Sequence, residues 1–258
     1  MAKKICFVLG AGGARGIAHI GFLKAMDENK IKPSAIVGCS MGAIVGACYA
    51  SGIKPEKMRE VAEALKFKDI VDFSIFSKKS LLRSIKMRNK IANLLQGKNF
   101  DDLKIPFACV AVDMVKGKSV TLKEGSLLDA VCASSAIPSV FRPVEIDNME
   151  LVDGCVLERV PVKVSKDFGC DVVVAVDVLG KLPKYVDTKN VFQHLLRTVD
   201  VNDAYHTEQY LKKYKPNILI RPDLKDMSQY KVENLSFAYE MGYKAGIENV
   251  EKIKEILK

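Results

Sequence analysis

Short apolar runs rich in β-branched residues alternate along this chain with longer amphipathic stretches. Lys3–Leu9, Ala35–Val37, Phe107–Met114, Ser119–Leu122, Glu150–Val152, Asp171–Val178 and Asn217–Ile220 read as strands. Arg15–Asn29, Met41–Ser51, Pro55–Leu65, Leu127–Ser134, Val191–Tyr214 and Val232–Leu257 read as helices. Strands separated by helices predict an α/β fold with a largely parallel sheet covered on both faces. Val172-Val173-Val174-Ala175-Val176 has the unbroken apolar character of a buried central strand. Lys116-Gly117, between two apolar runs, reads as a hairpin turn. The chain shows no internal repeat, low-complexity tract or linker, so its 258 residues predict one domain over 1–258.

Composition narrows the classes. No apolar run approaches the roughly 20 residues of a membrane span. Gly10 cuts Ile5-Cys6-Phe7-Val8-Leu9 short, so that segment reads as a buried first strand rather than a signal peptide. Seven cysteines without a C-x-x-C pair read as reduced core residues of a cytoplasmic protein. Three histidines without ligand spacing give no support to a metal site. The net charge of +9 suits anionic lipid or nucleic acid, but no base-stacking aromatic cluster or recognition motif accompanies it, which sets nucleic acid aside.

The chemistry concentrates at Gly38-Cys39-Ser40-Met41-Gly42, a G-x-S-x-G between a strand and a helix. Such a turn presents a serine on strained backbone, with flanking glycines relieving the crowding. Only one strand precedes this unit, too few for an α/β-hydrolase. Of the histidines, His19 falls in the first helix and His194 and His206 in a long polar one. A serine activated directly by a carboxylate therefore fits better than a Ser-His-Asp triad. A second glycine cluster, Gly10-Ala11-Gly12-Gly13-Ala14-Arg15-Gly16, lies at the first strand-to-helix junction. It satisfies neither G-x-G-x-x-G nor the P-loop string. It offers instead a row of unobstructed backbone N–H groups for developing negative charge, an oxyanion hole. Asp153, before Gly154, supplies a carboxylate at a sharp turn; taken alone it reads as a plain Asp-Gly turn.

The glycine loop, the elbow, the run Ala133-Ser134-Ser135-Ala136-Ile137-Pro138-Ser139-Val140-Phe141, and Asp153-Gly154 with Val160-Pro161-Val162 together resemble the patatin-like phospholipase family, in particular its compact bacterial branch. The resemblance covers most of the chain. It implies a three-layer α/β/α fold, with Ser40 as nucleophile, Asp153 as general base, and amides of Gly12, Gly13, Ala14 and Arg15 holding the oxyanion. It also implies cleavage of acyl esters of phospholipid or lysophospholipid through an acyl-enzyme, without metal or organic cofactor. Cys155 departs from the Gly or Ala usual after Asp-Gly, and places a thiol near the base. Arg15 has two readings: steering a lipid phosphate, or, preferred, pinning the glycine loop through backbone carbonyls. Residues 67–98 read as a cap-like insertion. Its basic residues Lys78, Lys79, Arg83, Lys86, Arg88 and Lys90 are interleaved with apolar ones; such a segment either contacts an anionic membrane peripherally or packs on the core. The alternative to an enzyme is a non-catalytic lipid- or partner-binding member of the same fold.

Overall fold

The computed structural model describes residues 3–65, 72–73, 82–83, 85–180, 182 and 188–258. The strands are β1 (Ile5–Leu9), β2 (Ala35–Gly38), β3 (Asp72–Phe73), β4 (Leu82–Arg83), β5 (Phe107–Asp113), β6 (Lys118–Leu122), β7 (Val144–Ile146), β8 (Met149–Asp153), β9 (Val172–Val176) and β10 (Ile218–Ile220). The helices are α1 (Ala18–Glu28), α2 (Met41–Ala50), α3 (Pro55–Glu63), α4 (Ile85–Leu95), α5 (Leu127–Ser134), α6 (Val191–Lys213) and α7 (Leu235–Leu257). β3 and β4 form a small antiparallel ladder of their own. The other eight strands make one sheet in the order β10-β9-β1-β2-β5-β8-β7, with β6 also on β5. β10, β9, β1, β2 and β5 run parallel, as their continuous apolar sequences require, while β6, β7 and β8 add antiparallel pairings.

The register around β5 positions the site. Cys109 pairs at once with Gly38 of β2 and Leu122 of β6, so those two strands occupy opposite edges of β5. Ala111 pairs with Val120 of β6 and Asp153 of β8. β2 and β8 therefore share one edge of β5 and meet there head to head, their C-terminal ends converging.

Alternate residues of the central strands feed two cores, as a pleated sheet covered on both faces demands. Phe7, Leu9, Ile36, Val174 and Val176 pack beneath α1, α2, α5 and α7. Cys6, Val8, Val37, Val110 and Ala175 pack on the opposite face against Val160, Val162, Val164 and Leu211 of α6. This is the three-layer α/β/α arrangement with a mostly parallel central sheet.

Three local expectations are revised. The first helix does not begin at Arg15; Gly13–Ile17 form a 3-10 turn and α1 starts at Ala18, because the Ala14 N–H is drawn to the Gln229 carbonyl at 3.0 Å. β7 was not expected; it pairs with β8 across Asp147-Asn148, both at positive φ (49° and 61°), as a two-residue hairpin requires. Of the cap-like insertion, residues 66–71, 74–81 and 84, with Lys78 and Lys79 among them, lie outside the described residues, so the membrane-facing reading of that stretch falls largely there. Its described helix, α4, buries Ile91 and Leu95, and Arg88 pairs with Asp129 of α5 at 2.5 Å. Among the described residues no helix is long and apolar enough to cross a membrane.

Candidate active site

Ser40 links β2 to α2 with φ 54° and ψ −122°, a conformation that a non-glycine residue adopts only when its surroundings enforce it. The surroundings do. The Cys39 N–H donates to the Leu9 carbonyl of β1 at 3.0 Å, and the Ser40 N–H donates to Ser134 Oγ at 3.1 Å. Ser135 Oγ, at the end of α5, donates to the Ser40 carbonyl at 3.3 Å and to the Val131 carbonyl at 2.8 Å. Both motif glycines are sterically obligatory: a Cβ on Gly38 would lie 2.5 Å from Ala43 Cα, and one on Gly42 would lie 2.1 Å from the Leu9 carbonyl oxygen.

Asp153 reaches the same point from the end of β8. Ser40 Oγ donates to Asp153 Oδ2 at 2.5 Å. The other carboxylate oxygen, Oδ1, accepts from the Cys155 N–H at 2.9 Å and from the Cys39 thiol at 3.8 Å. One oxygen is thus anchored by the turn that Gly154 begins, and the other is held on the serine. Asp153 is 1% exposed and Ser40 7%. Burial raises the Asp153 pKa to about 6, opposed by the hydrogen bonds from Ser40 and Cys155. The Cys39 and Cys155 thiols are pushed well above their ordinary values, first by burial and then by the Asp153 charge, so both stay protonated.

Of the four amides that the sequence assigned to an oxyanion hole, two are already engaged. The Ala14 N–H donates to the Gln229 carbonyl at 3.0 Å and the Arg15 N–H to the Gly12 carbonyl at 3.0 Å. Among the described residues the N–H groups of Gly12, Gly13 and Met41 have no protein acceptor. Met41 opens α2, where the dipole and a free N–H coincide; sequence reading overlooked it, though the residue after an elbow serine is placed there by the turn itself. Ser134 and Ser135 were likewise named only as part of a motif, and their bracing of the elbow needed coordinates.

Arg15 reaches a backbone carbonyl outside its own loop. Its Nη1 donates to the Met227 carbonyl at 3.4 Å and its buried Nε has no partner. Two other residues also clamp the loop. Buried His19 of α1 bonds the Gly10 carbonyl through Nε2 at 2.8 Å, and burial lowers its pKa to about 4, so the neutral ring donates. The Arg159 carbonyl accepts from Ala11 N–H at 2.9 Å, while its guanidinium donates to Asp177 at the end of β9 (3.1 Å), to the Gly180 carbonyl (3.1 Å) and to Asp203 of α6 (2.7 Å). His194 and His206 lie on the exposed side of α6. Among the described residues, no histidine bonds Ser40 or Asp153.

A cavity of about 580 Å³ opens beside the glycine loop, between Arg15, the 226–230 segment and the inward side of α6, which contributes Leu196, Asp200, Asp203 and Ala204. The dyad is not on its wall. All seven cysteines are free, and no cluster of metal-binding side chains occurs among the described residues.

The chain is 36% identical over 182 residues to an uncharacterized NTE family protein of Mycobacterium tuberculosis, an alignment covering 69% of this chain and 50% of that protein. It is 30% identical over 182 residues to human patatin-like phospholipase domain-containing protein 6, covering 67% of this chain and 13% of that protein. The chain thus spans half or less of the length of these curated relatives. Among solved structures, VipD from Legionella pneumophila superposes with a TM-score of 0.63 at 13% identity, over 97% of this chain and 67% of that one, a likeness of fold. The family model for patatin-like phospholipases matches residues 7–165, a span that holds the glycine loop, the Ser40 elbow and Asp153, and the chain belongs to that family.

Proposed function

We propose that this protein is a serine acyl hydrolase that cleaves carboxylic esters of phospholipids or lysophospholipids. The observation that carries the reading is the 2.5 Å hydrogen bond from Ser40 Oγ to a buried carboxylate. Asp153 accepts the Ser40 proton as Oγ attacks the ester carbonyl. An ordinary carboxylate is a weak base at neutral pH, and a pKa near 6 brings the proton transfer closer to balance. The free N–H groups of Gly12, Gly13 and Met41 supply donors for the tetrahedral oxyanion, each worth about 10²–10³ in rate in a comparable hydrolase. The leaving alcohol takes the proton from Asp153, and the same carboxylate then activates water to release the acyl group from Ser40.

A fluorophosphonate probe and a panel of defined phospholipids, with products identified by mass spectrometry, test this reading. Wild-type protein should label and release fatty acid. Folded Ser40→Ala should do neither, and Asp153→Asn should lose about 10²–10⁴ in kcat. The kcat/KM of wild type should rise with pH through a limb near 6, as Asp153 becomes the ionised base. Labelling that survives in Ser40→Ala removes the nucleophile, and a folded wild type inert toward probe and lipids alike favours a non-catalytic binder.

A further inference from the structure

α6 presents two unlike surfaces. Its inward side roofs the cavity beside the glycine loop. Its outward side carries no Asp, Glu, Lys or Arg: among the described residues from Val191 to Gln209 every exposed one is apolar, a neutral polar residue or a histidine, in a chain of which 28% is Asp, Glu, Lys or Arg. The four Asp, Glu, Lys or Arg residues of that stretch, Arg197, Asp200, Asp203 and Glu208, are all half-buried, while His194 and His206 are exposed. Val191, Leu195 and Val199 recur at i, i+4 and i+8 and are 87%, 58% and 55% exposed. Val201 and Tyr205, also exposed, lie on the other flank of this side, with exposed Thr198 and Asn202 between the two sets. From Val191 to Tyr205 the face runs about 21 Å. Lys189 precedes it, and exposed Lys212 and Lys213 continue it. The turn after Asp153 lies near α6, since Val156 and Leu157 are exposed and the next two residues bind the helix, Glu158 through Tyr210 and Arg159 through Asp203.

We propose that this face of α6 docks the protein on an anionic lipid surface, with its exposed aliphatic side chains reaching the acyl boundary and the terminal lysines meeting headgroups. The inference rests on the lipid-ester reading for its purpose but not for its physics. A helix side with five exposed apolar side chains and no Asp, Glu, Lys or Arg between them suits an interface in which water is given up. Charge selects the occupant: a chain of net charge +9 meets a second copy of itself with like-sign repulsion and an anionic bilayer with attraction. An amphipathic helix with lysines at its ends is the form such a contact takes.

Vesicle flotation on a Ser40→Ala background separates docking from turnover. Vesicles of phosphatidylcholine alone are compared with vesicles that also contain phosphatidylglycerol. Leu195→Asp with Val199→Asp should lower the vesicle-bound fraction about ten-fold or more on both. Lys212→Gln with Lys213→Gln should remove about ten-fold of the preference for the anionic vesicles only. In the Ser40 protein, both pairs should leave hydrolysis of a soluble ester and the circular dichroism spectrum unchanged. If the aspartate pair changes the spectrum, Leu195→Ser with Val199→Ser serves in its place. Flotation unaffected by α6 substitutions overturns the proposal. So does a dimer in light scattering that the aspartate pair dissolves without changing flotation, since the face would then be a protein interface. Vesicle binding by a wild type that hydrolyses no lipid leaves docking standing and removes the lipid-ester reading. Lipid hydrolysis without α6-dependent binding does the reverse.

Discussion

α6 and α7 are both 23 residues long and cover opposite faces of the sheet, yet their packing follows different rules. α7 is knitted into α1 by close backbone approach: a Cβ on Gly242 would lie 1.9 Å from the Ala18 carbonyl oxygen. It buries Leu235, Ala238, Tyr239, Gly242, Ala245, Gly246, Val250 and Ile253 along its whole length. Among its described residues α6 buries only Ala204, Thr207 and Leu211, and its middle is tied down by ions, through Asp203 to Arg159. The comparison separates a helix held by shape from one held by charge. Shape leaves no freedom to the neighbour. Charge fixes α6 at Asp203 and Glu208 and leaves its earlier turns lying over a cavity.

That contrast can be broken in order of severity. Gly242→Val should cost at least about 3 kcal/mol in denaturant unfolding, since the clash is with backbone that cannot turn aside. A smaller loss would mean that α1 and α7 slide freely. Asp203→Asn should cost about 1.5–3 kcal/mol, the range for a hydrogen bond to a charged group, and should lower the kcat of a soluble ester with little change in KM. The rate effect is expected because the Arg159 that it releases also holds Ala11 of the glycine loop. Unchanged kcat would show that the loop stands without α6. Leu195→Ala should shift stability by less than about 0.5 kcal/mol, as for any exposed side chain free of contacts that matter to the fold. A larger loss would reveal packing on the outward face.

The central strands and both long helices were legible in the sequence because their signals are local: β-branched runs on one hand, 3.6-residue periodicity on the other. Ser40 and Asp153 were legible as members of separate turn motifs, and their meeting at 2.5 Å agrees with the pairing drawn from those motifs. Which amides remain free was not legible. Ala14 is engaged by Gln229, more than two hundred residues away, and no local pattern encodes that partner. The outward side of α6 was hidden for a similar reason. The stretch reads as polar because it contains Arg197, Asp200, Asp203 and Glu208, and the partners that turn two of them inward, Arg159 for Asp203 and Arg221 for Glu208, sit on other elements.

The head-to-head meeting of β2 and β8 on β5 has a consequence in time. Ser40 and Asp153 are separated by 113 residues, and neither strand touches the other's partner except through β5. Loop closure on that scale is slow, and β8 carries an even-odd alternation in which a slip of one residue turns Asp153 to the opposite face. The dyad hydrogen bond therefore exists only after two independent strand pairings have both found their registers. On the proposed function, probe labelling of Ser40 should first appear late in refolding and all at once, marking completion of the sheet rather than collapse of the chain.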